Sequence, residues 1–155
     1  MAFVTNPTMQ ESLAMQYTRR RNLNQGQMKL EVWQGGIDLF ELSFRLAEPI
    51  SNFKLKSQFA DAAQSVPANV AEGYGGRTLP DYLQFLHTAK RSLAESLARA
   101  IGLCRVNLIP GTAFEDFDKL HYEAENKLLH PVGVLESKRG KDEWQTSLSV
   151  NPPIQ

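Results

Sequence analysis

From about residue 29 to 138 the apolar residues recur at intervals of three and four, four times over, which is the period of one helix face. Trp33, Ile37, Phe40, Phe44 and Ala47 form the first stripe, and Leu55, Phe59, Ala62, Val66 and Val70 the second. The third is the longest, with Tyr82, Leu86, Ala89, Leu93, Leu97, Ala100 and Cys104. The fourth carries Phe114, Phe117, His121, Ala124 and Leu128, and Val132 and Leu135 would continue it through a kink at Pro131. No stretch keeps the alternation of a half-buried strand. The pattern predicts an all-α fold, and the short connections predict an up-down-up-down antiparallel four-helix bundle.

Two of the helices carry a second apolar row. In the first it is Val32, Leu39 and Leu46, and in the third Leu83, Ala94, Ala98 and Ile101. A helix of a monomeric bundle needs one stripe of roughly 100°. The extra width reads either as a wider core or as a surface that meets another subunit.

The punctuation between stripes agrees with four helices. Pro49 follows the first, and Ser51 or Asn52 can cap the second. Gly73, Gly75 and Gly76 are placed to end the second helix, since glycine takes the left-handed cap conformation without a Cβ clash. Thr78 and Asp81 form a weak capping box with Pro80 in the first turn, and Pro110-Gly111 makes the last turn. Thr112 can cap the fourth helix, with Glu115, Asp116 and Asp118 where the helix dipole favours negative charge.

The most unusual stretch is SVPANVAEGYGG, residues 65–76. Pro67 removes a backbone donor and its ring presses on the carbonyl of Ala63, so a kink is expected in the second helix. Ser65 and Asn69 are short polar side chains able to bond nearby backbone groups. Glu72 falls on neither the core stripe nor an obviously free face, with a bond to Arg77 or another cation as one reading. The residues alone favour a kinked helix repaired by its polar neighbours over a functional site.

Composition narrows the class. The chain has 155 residues, 42% of them hydrophobic, enough for one domain with a core. Its 17 Lys+Arg balance 17 Asp+Glu, so no global field draws it to nucleic acid or membrane. The single cysteine excludes an internal disulfide framework and fits a reducing cytosol. No apolar run approaches the roughly 20 residues of a membrane span, and the first residues lack the charged-then-apolar order expected of a signal peptide. A cytoplasmic protein is expected. Residues 1–28 read as a flexible extension without a core of its own, and Met28 stands where a natural start would fall. Residues 139–155, closing in VNPPIQ, read as a disordered tail.

Three segments also resemble a known family. VWQ at 32–34, SQFADAAQSVPANVAEGYGGR at 57–77 and DYLQFLHTAKRSLAESL at 81–97 are similar to the four-helix-bundle family of bacterial 23S rRNA intervening-sequence proteins. That family includes the accessory variability protein of diversity-generating retroelements. The resemblance spans roughly residues 29–138. Its motif positions here are Gln58, Ser65, Pro67, Asn69, Glu72, Gly73, Phe85, Ser92 and Glu95. It implies a ring-like homo-oligomer, typically a pentamer, with no catalytic activity. For retroelement-like members it implies binding to nucleic acid and to a reverse transcriptase. This chain departs from the pattern at Ala60-Asp61, where a basic pair is usual, and at Arg91, where a glycine is usual.

Local charge decides how much of that can transfer. The third segment holds Lys90, Arg91, Arg99 and Arg105 against Asp81 and Glu95, and the second adds Lys54, Lys56 and Arg77 against Asp61 and Glu72. The first and fourth segments are net acidic. These seven cations are the candidate nucleic-acid contacts, multiplied by symmetry in an oligomer. Arg19-Arg20-Arg21 is a further cluster that suits a basic arm. Catalysis finds little support. His87, His121 and His130 share no metal-ligand spacing with each other or with Cys104, and GYGGR follows a helix and lacks the lysine of a phosphate loop. No cofactor is expected. The reading is an oligomeric accessory protein that binds structured RNA or an RNA–protein complex. The alternative is a scaffold whose ring binds a protein and no nucleic acid.

Overall fold

Helix boundaries fall close to the sequence punctuation. The computed structural model describes residues 30–76 and 78–139. Among them are four α-helices and no strand: α1 (Glu31–Ala47), α2 (Phe53–Tyr74), α3 (Leu79–Arg105) and α4 (Gly111–Lys138). Asn52 caps α2 by accepting the Leu55 amide at 3.1 Å, and Thr78 caps α3 by accepting the Asp81 amide at 3.3 Å. The extension at 1–28, Arg77 and the tail beyond Arg139 lie outside the described residues.

Three end signals are corrected. Gly73 lies inside α2, and Gly75 caps it with φ −74°, a right-handed conformation, so these glycines are not left-handed caps. The helix end that does use a left-handed residue is that of α3, where Asn107 has φ 62°. Its amide reaches Cys104 O at 3.0 Å and the Leu108 amide reaches Leu103 O at 2.9 Å, the paired bonds of a Schellman ending. At α4 the N-cap is Pro110, so Thr112 falls within the first turn. Glu115, Asp116 and Asp118 then lie beyond that turn, where the dipole has faded. Past Pro131, α4 runs on to Lys138 and buries Val132 and Leu135.

The helices close into a four-helix bundle. α1 packs on α2 and α4, and α3 packs on the same two. Phe59 of α2 and Phe117 of α4 are fully buried at its centre, ring centroids 5.5 Å apart and tilted by 55°. Leu39, Val66, Val70, Leu86, Leu93 and Leu128 surround them, all but sealed from solvent. His121, expected on the core stripe, is buried there, and its Nε2 lies 2.8 Å from Leu93 O. A carbonyl can only accept, so Nε2 carries the hydrogen.

On α1 the expected core stripe is buried only at Ala47. Its buried face is Val32, Gly35, Gly36, Leu39, Ser43 and Ala47, which includes two members of the row read as secondary. Trp33, Ile37 and Phe40 are only half-buried, and Phe44 is 50% exposed. The reason is close approach. A Cβ on Gly36 would sit 3.2 Å from three atoms of Pro67, and one on Gly35 would sit 3.3 Å from Lys127 Cδ. Interior packing at crystal-like density selects the face that fits, and here that face is the small one. Ser43 joins it because its hydroxyl bonds Leu39 O at 2.7 Å. On α2 the stripe holds from Phe59 to Val70, while Leu55 is exposed. On α3, Leu97 and Cys104 are half-buried, Leu83 is buried, and Ala94, Ala98 and Ile101 face outward.

Candidate nucleic-acid interface

Most of the motif positions lie along one seam, between α2 and α3, while Pro67 packs against Gly36 of α1 and Glu72 is exposed. At one end Arg99 Nη1 donates to Gln58 Oε1 at 3.0 Å, while its Nε and Nη2 hold Glu95 Oε1 at 2.9 and 2.7 Å. Midway, Ser65 Oγ and Ser92 Oγ lie 2.8 Å apart. At the far end Gly73 meets Phe85. Positions that ascend along α2 pair with positions that descend along α3, as antiparallel neighbours must.

The central contacts form a directed chain. Ser92 Oγ donates to Thr88 O at 3.1 Å, which uses its single hydrogen. Ser65 must then donate to Ser92, and it accepts from Asn69 Nδ2 at 2.9 Å. The same Nδ2 also donates to Ser65 O at 2.7 Å, so Asn69 does bond a backbone carbonyl of the turn around Pro67. Pro67 itself is buried and carries the close contact with Gly36. None of the seam side chains named here has a fully buried polar atom without a partner, which lets polar residues line a helix seam without the cost of an orphan. Glu72 is exposed and makes no hydrogen bond or ion pair among the described residues.

The candidate cations divide into two groups. Lys54, Lys90, Arg91 and Arg105 are exposed and make no ion pair among the described residues. Lys90, Arg91 and Arg105 share the outward side of α3 with Ala94, Ala98 and Ile101, side chains too short to hold a polymer off. Lys56 donates from Nζ to Glu48 O at 3.1 Å, and Arg99 is taken up by Glu95 and Gln58. Arg77 lies outside the described residues. Asp61 is exposed on α2.

Two carboxylates elsewhere in the fold are shifted by their surroundings. Burial pushes the Asp38 carboxyl up; Lys127 pulls it back, and Glu41 and Glu123 push it up further. Its Oδ1 is buried without a hydrogen-bond partner among the described residues. Glu136 is held below the usual carboxylate range, mainly by its hydrogen bond with His87 at 3.0 Å and then by Arg139. Among the described residues no group of three or more His, Cys, Asp or Glu is placed to hold a metal. No helix there is long and apolar enough to cross a membrane.

Tyr82 yields a pH prediction. Burial, with the Tyr74 ring edge-on 5.9 Å away, pushes its phenol up to about 12. The folded pKa exceeds the unfolded one, so this term is fully present below pH ~10 and is lost as pH rises towards ~12. Denaturant midpoints should therefore fall across that window in the native chain, and Tyr82→Phe should flatten the fall. An equal fall in both would count against it.

The comparison with protein families adds to this geometry. The family model of the 23S rRNA-intervening sequence protein matches residues 28–130, two thirds of the chain. The chain belongs to this family. The matched span takes in α1, the whole α2–α3 seam and α4 as far as His130. The family's description names a ribosomal RNA context and no reaction. No curated protein matches the chain.

What the sequence missed is equally plain. Nothing in the periodicity marked Gly35 and Gly36 as the close-packed face of α1, or Lys127 as the lid over Gly35. Nor did it show that Arg99 is spent within the fold. Its signal was available, since Glu95 stands four residues before it, the favoured order for a helical ion pair.

Proposed function

We propose that this protein is a non-enzymatic, cytoplasmic accessory protein that binds structured RNA, or an RNA–protein complex, as a ring-like homo-oligomer. The observation that carries the reading is the row of exposed cations Lys90, Arg91 and Arg105 on one side of α3, unpaired among the described residues, with Lys54 on the neighbouring helix. Family membership supplies the ribosomal RNA context. Phosphate contacts of this kind position a backbone without reading bases. A pentamer would repeat the row five-fold, and a reverse transcriptase is a partner consistent with the retroelement branch of the resemblance. A bend of α2 at Pro67 would set the α1–α2 packing angle on which assembly depends.

The protein-scaffold alternative has its own support. Phe44 is 50% exposed beside half-buried Phe40 and Ile37, and Asp61 places a negative charge on α2. The same apolar side of α1 suits contact between subunits, so both readings share the oligomer and differ over RNA.

The test is binding to a structured RNA across a salt series, with oligomer mass recorded alongside. Affinity is expected to fall steeply with salt, and Lys90→Glu with Arg91→Glu should reduce the log–log slope by roughly 1.5 for each engaged subunit. Absence of binding at low salt from an intact oligomer would overturn the RNA reading and leave the protein scaffold.

A further inference from the structure

A groove of about 300 Å³ opens at one end of the α2–α3 seam, just past the bond between Gln58 and Arg99. It is lined by Leu55 from the first turn of α2, and by Arg99, Gly102, Leu103 and Val106 from the end of α3. Leu55 is 38% exposed and Val106 61%, so both aliphatic lips are open to solvent. Gly102 is the odd member. Within a helix glycine is worse than every residue but proline, yet a Cβ here would meet nothing within 4 Å. No contact among the described residues asks for a glycine at this position. It leaves bare backbone in the groove, which is the arrangement that lets a ligand come close.

Arg99 supplies the polar end. Of its five N–H donors, Nε and one on Nη2 go to Glu95, and one on Nη1 goes to Gln58. Among the described residues one hydrogen is left on each of Nη1 and Nη2, in a guanidinium that Glu95 and Gln58 hold in place. Glu95 answers the charge, so what Arg99 offers here is a pair of donors. We propose that the groove holds one unpaired guanine base of the bound RNA, its ring between Leu55 and Val106 and its O6 and N7 accepting from Arg99. This rests on the RNA-binding reading above and names the base it would read. A cleft this small takes one ring system and no partner helix. Guanine presents two acceptors side by side, whereas adenine presents an acceptor beside a donor that would face an Arg99 N–H. Unpaired bases are the ones that RNA exposes to such readout. Lys54 precedes Leu55 and Arg105 precedes Val106, both exposed and without an ion pair among the described residues, so the flanking phosphates meet positive charge.

The test measures binding of the full chain to single-stranded RNA heptamers by fluorescence anisotropy. One heptamer is all uridine; the others carry a central guanosine, adenosine or 7-deazaguanosine. Guanosine is expected to bind roughly ten-fold tighter than adenosine, and 7-deazaguanosine, which lacks the N7 acceptor, should lose most of that gain. Gly102→Leu fills the groove from an uncrowded position. It should bring the guanosine heptamer down to the all-uridine level and leave the all-uridine affinity unchanged. The 7-deazaguanosine comparison uses the native chain, so it decides the matter even if that variant fails to fold. Equal affinity for all four heptamers would overturn the groove and leave the RNA reading standing. A guanosine preference that survives Gly102→Leu would do the same, as would heptamers that fail to bind while a structured RNA does. Failure of heptamers and structured RNA alike at low salt would sink both.

Discussion

Phe117→Ala should cost the bundle about 3–5 kcal/mol, a large share of the ~5–15 kcal/mol that holds a domain of this size. The ring is wholly buried and stacks at a tilt on Phe59, itself wholly buried. Removing it forfeits the transfer free energy and leaves a cavity between α2 and α4. Helix backbones on both sides are held by their own ladders and can collapse only partly into such a space. Urea unfolding should show a lower midpoint with an unchanged slope. Phe59→Ala should lose a similar amount, and the double variant less than their sum, with a coupling of about 0.5–1.5 kcal/mol for the ring pair. Phe53→Ala is the control, at 81% exposure expected to stay within about 0.5 kcal/mol of the native chain. A loss below about 1 kcal/mol at Phe117 would mean that the pair is not the packed centre of the core.

These two rings were legible in advance because each sits within a stripe of mainly apolar residues spaced three and four apart. The same logic failed on α1, and the failure is instructive. Trp33, Ile37, Phe40, Phe44 and Ala47 form as regular a row as any in the chain, yet only Ala47 of them is buried, and the face that packs holds Val32, Gly35, Gly36, Leu39 and Ser43 beside it. Periodicity ranks faces by hydrophobicity, whereas an interface between helices is settled by how near the axes can come. Glycine counts as nothing on the first scale and as a decisive feature on the second. A pair of adjacent glycines in an otherwise strong helix was the available sign, because each costs roughly 1 kcal/mol against alanine unless packing repays it.

The motif 65–76 was recognisable as unusual, and of the two side chains expected to bond nearby backbone, Asn69 does so at Ser65 O. The expectation stopped at the helix that contains them. Ser65 reaches across to Ser92, and Gln58 to Arg99, contacts between residues 27 and 41 positions apart that no local rule could propose. The resemblance did carry that information, since Ser92 and Glu95 belong to the same pattern as Ser65 and Gln58. The structure explains why: they are the two banks of one seam. The cationic face was read less well. Counting charges by segment gave Arg99 the same weight as Arg91, although one is paired within the fold and the other is open to solvent.

Gly73→Ala tests the seam where it is tightest. A Cβ placed on Gly73 would stand 2.5 Å from Phe85 Cβ and 3.1 Å from a ring carbon of Tyr82. Phe85 Cβ is fixed to the α3 backbone and cannot swing aside, so α2 and α3 must part. Overpacking of this kind typically costs about 1–3 kcal/mol, and the absence of a yielding atom puts this site at the upper end. The better helix propensity of alanine returns up to about 1 kcal/mol, leaving a net loss of about 2 kcal/mol. Two further glycines separate crowding from propensity. Gly102 has nothing within 4 Å of its Cβ position, so Gly102→Ala should stabilise α3 by as much as ~1 kcal/mol. Gly36, with contacts at 3.2 Å on the rigid Pro67 ring, should fall between the two. Adding Phe85→Gly to Gly73→Ala removes the opposing Cβ, and the pair should lose at least about 1 kcal/mol less than the sum of the single changes. Strict additivity would show that α2 and α3 are not in contact at this point. Because Ser65, Ser92, Gln58 and Arg99 lie along the same seam, parting it at Gly73 would strain each of those bonds. The outward cations on α3 would then move relative to Lys54 on α2, so loss of RNA binding by Gly73→Ala without change at Lys90 or Arg91 would tie the family motif to the function through geometry alone.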